Sequence, residues 1–140
     1  MKNILVLCEG NICRSPMAAA LLAAAAPDLH VTSAGLGALV GHPADPLATR
    51  LMAERGVDIK SHRAVQVTRP LCVAADVILV MENAQRKRVE DLYPETRGRV
   101  FRLDENDVPD PYRKPEAAFR LALAGISTGV QSWTRKLKQI

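Results

Sequence analysis

The residues best suited to chemistry form the stretch CEGNICRSP, which runs from Cys8 to Pro16. Within it, five residues separate Cys8 from Arg14. A thiolate is a nucleophile, and a guanidinium is a permanent, planar cation that binds two phosphate oxygens at once. A loop of successive backbone N–H groups, closed by the positive end of a helix, binds anions and favours the thiolate form of a cysteine inside it. The stretch therefore predicts phosphoryl transfer through a phosphocysteine.

Such a loop must be held between a strand and a helix. The apolar run Ile4–Leu7 predicts a buried strand that ends at the cysteine. We expect the helix to begin at Pro16, because proline suits the first helical position, with Ser15 as the capping residue. Gly10 and Asn11 would accommodate the unusual backbone angles of a tight loop. The candidate phosphate-binding residues are those of the loop, namely Glu9, Gly10, Asn11, Ile12, Cys13, Arg14 and Ser15.

Strands and helices alternate along the rest of the chain. We expect further strands at residues 29–33, 76–81 and 98–103, and further helices at residues 46–55, from 69 onward, at 83–93 and from 115 towards 138. Right-handed crossovers between such strands predict an α/β fold with three layers, in which helices cover both faces of a four-stranded, mainly parallel sheet. Ligands bind at the carboxyl ends of parallel strands, where the Cys8 loop and the loop at residues 104–114 both lie.

Composition and charge exclude several other classes of protein. A chain of 140 residues, 48% hydrophobic and 24% charged, is typical of one globular domain, so we expect residues 1–140 to form a single domain. The net charge of +4 is scattered, and five aromatic residues without a stacking pattern predict no nucleic-acid surface. His and carboxylate residues do not show metal-ligand spacing, so we expect neither a metal nor another cofactor.

The remaining features indicate a cytoplasmic protein. Three cysteines, an odd number, are not typical of a secreted disulfide framework. The longest weakly polar run, at residues 17–26, is too short to span a bilayer, and no signal peptide is evident. We therefore expect a protein that is not inserted in a membrane.

A thiolate that attacks a phosphate monoester also needs a general acid to protonate the leaving oxygen. Five carboxylates are candidates: Glu9, Asp45, Asp104, Asp107 and Asp110. Glu9 directly follows the nucleophile and should point outward, and Asp45 is explained as the cap of the helix at residue 46. The residues alone do not choose among the other three.

The stretch from Val6 to Ala18 closely resembles the active-site loop of the low-molecular-weight protein tyrosine phosphatases, whose fold is flavodoxin-like. The stretch Pro109-Asp110-Pro111-Tyr112 resembles the Asp-Pro-aromatic loop of the same family. This resemblance implies Asp110 as general acid and then general base, and Tyr112 as one wall of a slot for a phenyl ring. It implies two steps, in which Cys8 attacks phosphorus and water then hydrolyses the phosphocysteine.

Supporting roles follow from the same resemblance. Residues 32–35 and 61–66 resemble two further family segments, which implies that Ser33 and His62 hold Asn11 and thereby the loop. Val65 stands where the family usually has arginine. The resemblance also implies hydrogen bonding of the departing thiolate by Ser15.

The other two cysteines have different expected roles. The family resemblance implies a reversible disulfide between Cys8 and Cys13 under oxidation. Cys72 is expected to be a small buried hydrophobic residue.

Residues 35–41 and 110–114 resemble most closely the bacterial branch of this family that is associated with exopolysaccharide production. That branch implies a phosphotyrosine protein substrate, namely the autophosphorylated tail of a membrane tyrosine kinase. Residues 38–40 are aliphatic where eukaryotic relatives place an aromatic residue at the cleft, so we expect a different cleft specificity.

Four alternatives remain open at this point. Some arsenate reductases share the fold but need two further cysteines, and only Cys72 is available outside the loop. Protein arginine phosphatases have threonine in place of Ile12. A phosphate-binding module would be expected to lack Cys8, Arg14 or Asp110, whereas a sugar-transport phosphocarrier would need only the cysteine of these three.

Overall fold

The core of the molecule is a four-stranded parallel sheet, seen in a computed structural model that describes residues 2–138. Its strands are β1 (Asn3–Cys8), β2 (His30–Gly35), β3 (Val77–Val80) and β4 (Val100–Arg102). Their order in the sheet is β2-β1-β3-β4, and every neighbouring pair is parallel. This architecture confirms the predicted α/β fold class.

The helices are α1 (Arg14–Ala25), α2 (Pro46–Glu54), α3 (Arg69–Ala74), α4 (Asn83–Leu92) and α5 (Glu116–Lys138). The Asp45 carboxylate caps α2 by accepting from the Leu47 amide at 2.9 Å, as the Asp-Pro sequence predicts. A short 3-10 turn at Pro94–Thr96 was not expected from the sequence. Within residues 2–138, no helix is both long and apolar enough to cross a membrane.

The start of α1 differs from the prediction. The helix begins at Arg14 and not at Pro16, so the loop before it has five residues, Glu9–Cys13. Pro16 is tolerated inside the first turn, where backbone N–H groups have no helical acceptor. The prediction of Ser15 as the capping residue was therefore wrong, and its side chain is free for the loop.

Side chains alternate between the two faces of β1 and contribute to two separate apolar clusters. Ile4 and Val6 pack into the larger cluster with α1, α2 and α5. Leu5 and Leu7 pack into the smaller cluster with α3 and α4. These layers bury β1 completely from Ile4 to Cys8, so the loop after Cys8 starts from a fixed point at the carboxyl edge of the sheet.

Strand boundaries also differ from the prediction by up to two residues, most clearly at the end of β2 and in the length of β4. β2 continues to Gly35, because Ala34 and Gly35 pair with Leu7 and Cys8 of β1. β4 is only three residues long. Both features depend on pairing with the neighbouring strand, and this pairing cannot be predicted from the local sequence.

Candidate active site

The backbone carbonyls of the loop after β1 all point out of the loop. Each carbonyl of residues 8–12 accepts a hydrogen bond from outside the loop. The pairs are Leu36 N to Cys8 O (3.0 Å), Gly37 N to Glu9 O (2.9 Å), Leu39 N to Gly10 O (3.1 Å), the His62 ring to Asn11 O (2.6 Å) and Asp45 N to Ile12 O (2.8 Å). In a trans peptide the N–H points opposite to the C=O. The N–H groups of residues 9–13 therefore converge on the interior of the loop and form an anion-binding nest.

Asn11 holds this conformation together. It is fully buried, and its backbone has a positive φ of 59°, which asparagine tolerates better than most residues. Its side-chain amide donates to Ser15 Oγ at 2.7 Å and Ser33 Oγ at 3.0 Å, and its Oδ1 accepts from the Val65 amide at 2.9 Å. The predicted hydrogen bond between Ser33 and Asn11 is thus present.

His62 braces the same residue from the other side. Its Nε2 lies 2.6 Å from the Asn11 carbonyl. A carbonyl oxygen can only accept, so Nε2 carries the hydrogen of this bond. Val65, at the position where the family usually has arginine, contacts Asn11 through its backbone, and its side chain is exposed. The bond to Asn11 therefore does not need an arginine side chain.

Gly10 is less constrained than expected. It is not among the residues with positive φ, and a Cβ placed on it would be 3.7 Å from the nearest atom, on Ile12. Gly35 is the glycine that the loop requires, because a Cβ there would lie 2.6 Å from the Glu9 carbonyl oxygen. The close approach of β2 to the loop excludes a larger residue at this position.

Cys8 lies at the centre of the nest. Its sulfur is 3.3 Å from the Asn11 amide nitrogen, which donates to it, and 2.9 Å from Ser15 Oγ. Because the Ser15 oxygen already accepts from Asn11, its own hydrogen is available to the sulfur. The structure therefore places a backbone N–H and a hydroxyl group against the sulfur.

Arg14 is 1% exposed and extends from the first turn of α1 towards the loop that contains Asp110. One of its terminal nitrogens contacts the Glu82 carboxylate and donates to the Val108 carbonyl at 2.7 Å. The other lies 3.6 Å from an Asp110 carboxylate oxygen. A buried guanidinium needs such partners to offset the loss of water.

Sequence reasoning did not identify Glu82. It is the residue before α4, where it forms a capping box with Gln85. Two amides, those of Met81 and Glu82, donate to the Gln85 side chain at 3.0 and 3.1 Å. The available signal was a carboxylate directly after a buried strand, at the edge of the sheet where ligands bind.

Among the carboxylates that sequence left open, Asp110 is the one placed at the loop. Asp107 is occupied elsewhere, because its Oδ1 accepts from the Asn83 amide at 3.0 Å and pairs with Arg102 at 3.1 Å. Asp110 lies beside Arg14, and its Oδ1 accepts from the Tyr112 amide at 3.0 Å. Its side chain is 43% exposed, so it reaches both the loop and water.

A cavity of about 140 Å³ opens above the sulfur. Its lining combines aliphatic and aromatic side chains with residues of the loop and charged side chains. The lining residues are Cys8, Glu9, Gly10, Ile12, Cys13, Arg14, Gly37, Leu39, Asp110 and Tyr112. Every residue predicted to bind phosphate except Asn11 and Ser15 lines this cavity, and those two are fully buried behind it.

The aliphatic wall is held by Gln66. Its side chain donates to the Leu36 carbonyl at 2.8 Å and accepts from the Ala38 amide at 2.9 Å, on either side of Gly37. Leu39 from this segment lines the cavity, whereas Val40 is 66% exposed. Glu9, as expected, directs its carboxylate outward, to Arg88 at 2.7 Å.

The other two cysteines are buried thiols. Burial, reinforced by the nearby Asp45 carboxylate, raises the pKa of Cys13 above its ordinary value. Burial also raises the pKa of Cys72 to about 11. All three cysteines are unpaired in the structure. Within residues 2–138, no three His, Cys, Asp or Glu side chains are grouped as metal ligands would be.

Comparison with known proteins places this geometry in context. A family model for low molecular weight phosphotyrosine protein phosphatases matches residues 3–140. The chain is 51% identical to a probable low molecular weight protein-tyrosine-phosphatase EpsP from Ralstonia solanacearum, over 100% of this chain and 99% of that protein.

Two solved structures show the same fold. Vibrio vulnificus Wzb in complex with benzylphosphonate has a TM-score of 0.93 and 38% identity, over 96% of this chain and 98% of that chain. YwlE arginine phosphatase from Geobacillus stearothermophilus also has a TM-score of 0.93, with 31% identity, over 99% of this chain and 94% of that chain. An arginine phosphatase thus shares the fold, which alone does not distinguish phosphotyrosine from phosphoarginine as substrate.

Proposed function

Because the chain belongs to the low molecular weight phosphotyrosine protein phosphatase family, we propose that it hydrolyses phosphotyrosine through a phosphocysteine formed on Cys8. The observation that carries this proposal is the set of converging N–H groups around the Cys8 sulfur, at the floor of a narrow cavity. A phosphate held by these groups has its phosphorus next to the nucleophile.

In the first step, the Cys8 thiolate attacks phosphorus and the bond to the tyrosine oxygen breaks. The N–H groups of residues 9–13 and the Arg14 guanidinium hold the other phosphate oxygens as charge develops on them. Asp110, as the carboxylic acid, gives its proton to the leaving phenolate oxygen. Its place beside Arg14 on the cavity wall supports this role.

In the second step, water attacks the phosphocysteine and the Asp110 carboxylate accepts its proton. The sulfur–phosphorus bond breaks, inorganic phosphate leaves, and Cys8 returns to the thiolate. The Ser15 hydroxyl, 2.9 Å from the sulfur, donates a hydrogen bond to the departing thiolate. Arg14, Cys8 and Asp110 are the proposed catalytic residues, and Asn11, Ser33 and His62 keep the loop in shape.

The shape of the cavity supports an aryl phosphate as substrate. Leu39 and Ile12 provide aliphatic surface and Tyr112 provides an aromatic wall, as a phenyl ring requires. The apolar side chain of Ile12 offers no hydrogen bond to a phosphorylated guanidine, which argues against phosphoarginine.

We further propose that the protein substrate is the autophosphorylated tail of a membrane tyrosine kinase. The resemblance to the exopolysaccharide-associated branch supports this partner, as does the similarity to EpsP and Wzb. Three unpaired, buried cysteines are consistent with the reducing cytoplasm that such a tail would share.

The proposal is tested by measuring phosphate release from phosphotyrosine, phosphoserine and phosphoarginine peptides without added metal. We expect turnover of phosphotyrosine alone, its abolition by Cys8→Ser and a strong decrease in Asp110→Asn. Asp107→Asn is the matched control, because that carboxylate is held by Asn83 and Arg102 and should not take part in the reaction.

Two results would reject the proposal. A preference for phosphoarginine would show that Ile12 and the aromatic wall do not select a phenyl ring. Retained phosphate binding without turnover of any peptide would instead indicate a binding module.

A further inference from the structure

The turn after Asp110 carries a residue that its backbone does not favour. The Lys114 amide donates to the Pro111 carbonyl at 2.9 Å, which closes a turn with Tyr112 and Arg113 at its centre. Arg113 is the third residue of this turn and has a φ of 62°. That position usually carries glycine or asparagine, since other side chains are strained at positive φ. An arginine at this position suggests a use for its side chain.

The Arg113 guanidinium lies over the ring of Tyr112, 5.2 Å from its centroid. Tyr112 lines the cavity above Cys8, whereas Arg113 does not. The guanidinium therefore lies just outside this cavity, which is the proposed slot for the phenyl ring, and contacts its aromatic wall. Both side chains are exposed, and Arg113 forms no ion pair with any residue in the described part of the chain.

The two carboxylates that line the cavity are already paired with arginines. Glu9, which also lines the cavity, binds Arg88 at 2.7 Å. Asp110 lies 3.6 Å from Arg14, which is itself buried and bound to Glu82. Lys114 follows Arg113 and is also exposed. The rim next to Tyr112 therefore presents unpaired positive charge.

A phosphotyrosine whose ring occupies the slot must pass its neighbouring residues across this rim. We infer that Arg113 is a specificity-determining residue that selects phosphotyrosines with an acidic residue directly beside them. This inference rests on the proposed phosphotyrosine hydrolysis and adds the charge of the sequence around it. The contact forms with bound substrate before and during the reaction, so it should lower KM more than it changes kcat.

The experiment compares phosphotyrosine peptides that are identical except for glutamate, glutamine or lysine on both sides of the phosphotyrosine. For the wild type, we expect kcat/KM to be about two- to fivefold higher with glutamate than with lysine, the range for an exposed ion pair. Arg113→Glu should reverse this order, and Arg113→Lys should keep it. Arg113→Asn, which suits the positive φ of the turn, should lower the preference to what the neighbouring Lys114 supplies.

Arg135→Glu is the matched control. Arg135 is exposed, lies in the last turn of α5 and has no ion-pair partner within residues 2–138. Arg135→Glu changes the net charge of the protein by the same amount as Arg113→Glu. It should leave the glutamate-to-lysine ratio of the wild type unchanged.

Three results would overturn the inference while leaving the proposed function intact. These are equal kcat/KM for all peptides in the wild type, the same loss for every peptide in the Arg113 variants, and an equal change in the ratio caused by Arg135→Glu. The second would mean that Arg113 only holds Tyr112 in place. Failure of the wild type to hydrolyse any phosphotyrosine peptide would instead reject both proposals.

Discussion

Arg14 connects two parts of the site that are far apart in sequence. Its guanidinium binds Glu82 and the Val108 carbonyl, and it lies beside Asp110. These contacts fix the orientation of the guanidinium. They also hold the loop that carries the proposed general acid. Glu82 is the charged partner in this arrangement, and its side chain is only 31% exposed.

We expect Glu82→Gln to lower kcat for phosphotyrosine by about 10- to 100-fold, because small displacements of a positioning group are costly in the transition state. The neutral amide keeps the shape of the side chain but no longer holds the guanidinium by charge. The inhibition constant of inorganic phosphate should rise in parallel, which loss of stability alone would not cause. Steady-state kinetics with phosphate inhibition measure both quantities.

Glu90→Gln is the control for this variant. Glu90 lies within α4, the helix that Glu82 precedes, and its ion-pair partner among residues 2–138 is Arg86, at 3.7 Å. It should leave both constants unchanged. Wild-type values of kcat and phosphate inhibition in Glu82→Gln would contradict the positioning role.

The difference between Arg14 and Glu82 shows which site residues local sequence can predict. The spacing of Cys8 and Arg14 is a local property, so sequence alone identified both. Glu82 is 68 residues away from Arg14 and reaches it only through the pairing of β1 with β3. Its position after a buried strand is the one local signal, and an ordinary helix cap can occupy the same position.

At the scale of elements, α5 packs unusually close to the end of β4. Gly129 makes this possible, because a Cβ there would lie 2.6 Å from the Leu103 carbonyl oxygen. Gly125, one turn earlier, is less crowded, and the nearest atom to its Cβ would be 3.5 Å away on Val108. The two glycines of α5 thus differ, because the close approach requires Gly129 and does not require Gly125.

We expect Gly129→Ala to destabilise the protein by about 1–3 kcal/mol, since the backbone of Leu103 must move to make room. Gly125→Ala should be neutral or stabilise it by up to about 1 kcal/mol, because alanine is the better helix former and its contact is ordinary. Urea denaturation of both variants gives the free energies of unfolding. Equal effects of the two substitutions would contradict the close approach.

The ends of elements were predictable only where a local signal sets them. Asp45 and Pro46 predict the start of α2, and the structure places it there. Pro16 gives the same signal for α1, but that helix begins two residues earlier. The reason is that the first turn of α1 forms part of the site, where the Ser15 hydroxyl contacts the Cys8 sulfur.

At the scale of the whole molecule, two apolar clusters cover the two faces of the sheet. Parallel strands were predictable from the alternation of strands and helices. Their order was not, because it depends on which crossover covers which face. Cys72 is completely buried in the smaller cluster, as expected for a small hydrophobic residue.

The raised pKa of Cys72 makes stability depend on pH in alkaline solution. In the unfolded chain the Cys72 thiol loses its proton above its ordinary pKa of 9.0, whereas burial in the folded chain raises this pKa to about 11. The unfolded state then binds fewer protons, so stability falls with rising pH in this range, by roughly 2–3 kcal/mol for two pH units.

We therefore expect the stability difference between the wild type and Cys72→Ala to narrow between pH 9 and 11, because the variant lacks this thiol. Val89→Ala, which trims the same cluster without removing a titrating group, should show a difference that does not change with pH. Denaturation midpoints at several pH values measure both. Parallel curves for the wild type and Cys72→Ala would exclude titration of a buried thiol.

The central claim is that phosphate passes through the Cys8 sulfur, and trapping that intermediate tests it most directly. The measurement mixes the enzyme with a phosphotyrosine peptide, stops the reaction under denaturing conditions within the first turnover, and maps phosphoryl groups by mass spectrometry. We expect one phosphoryl group on Cys8 in the wild type and none in Cys8→Ser. In Asp110→Asn the amount of phosphocysteine should increase, provided that the substitution slows its hydrolysis more than its formation. Two results would contradict the account: dephosphorylation of the peptide by the wild type with no phosphoryl group on Cys8, or full turnover by Cys8→Ser.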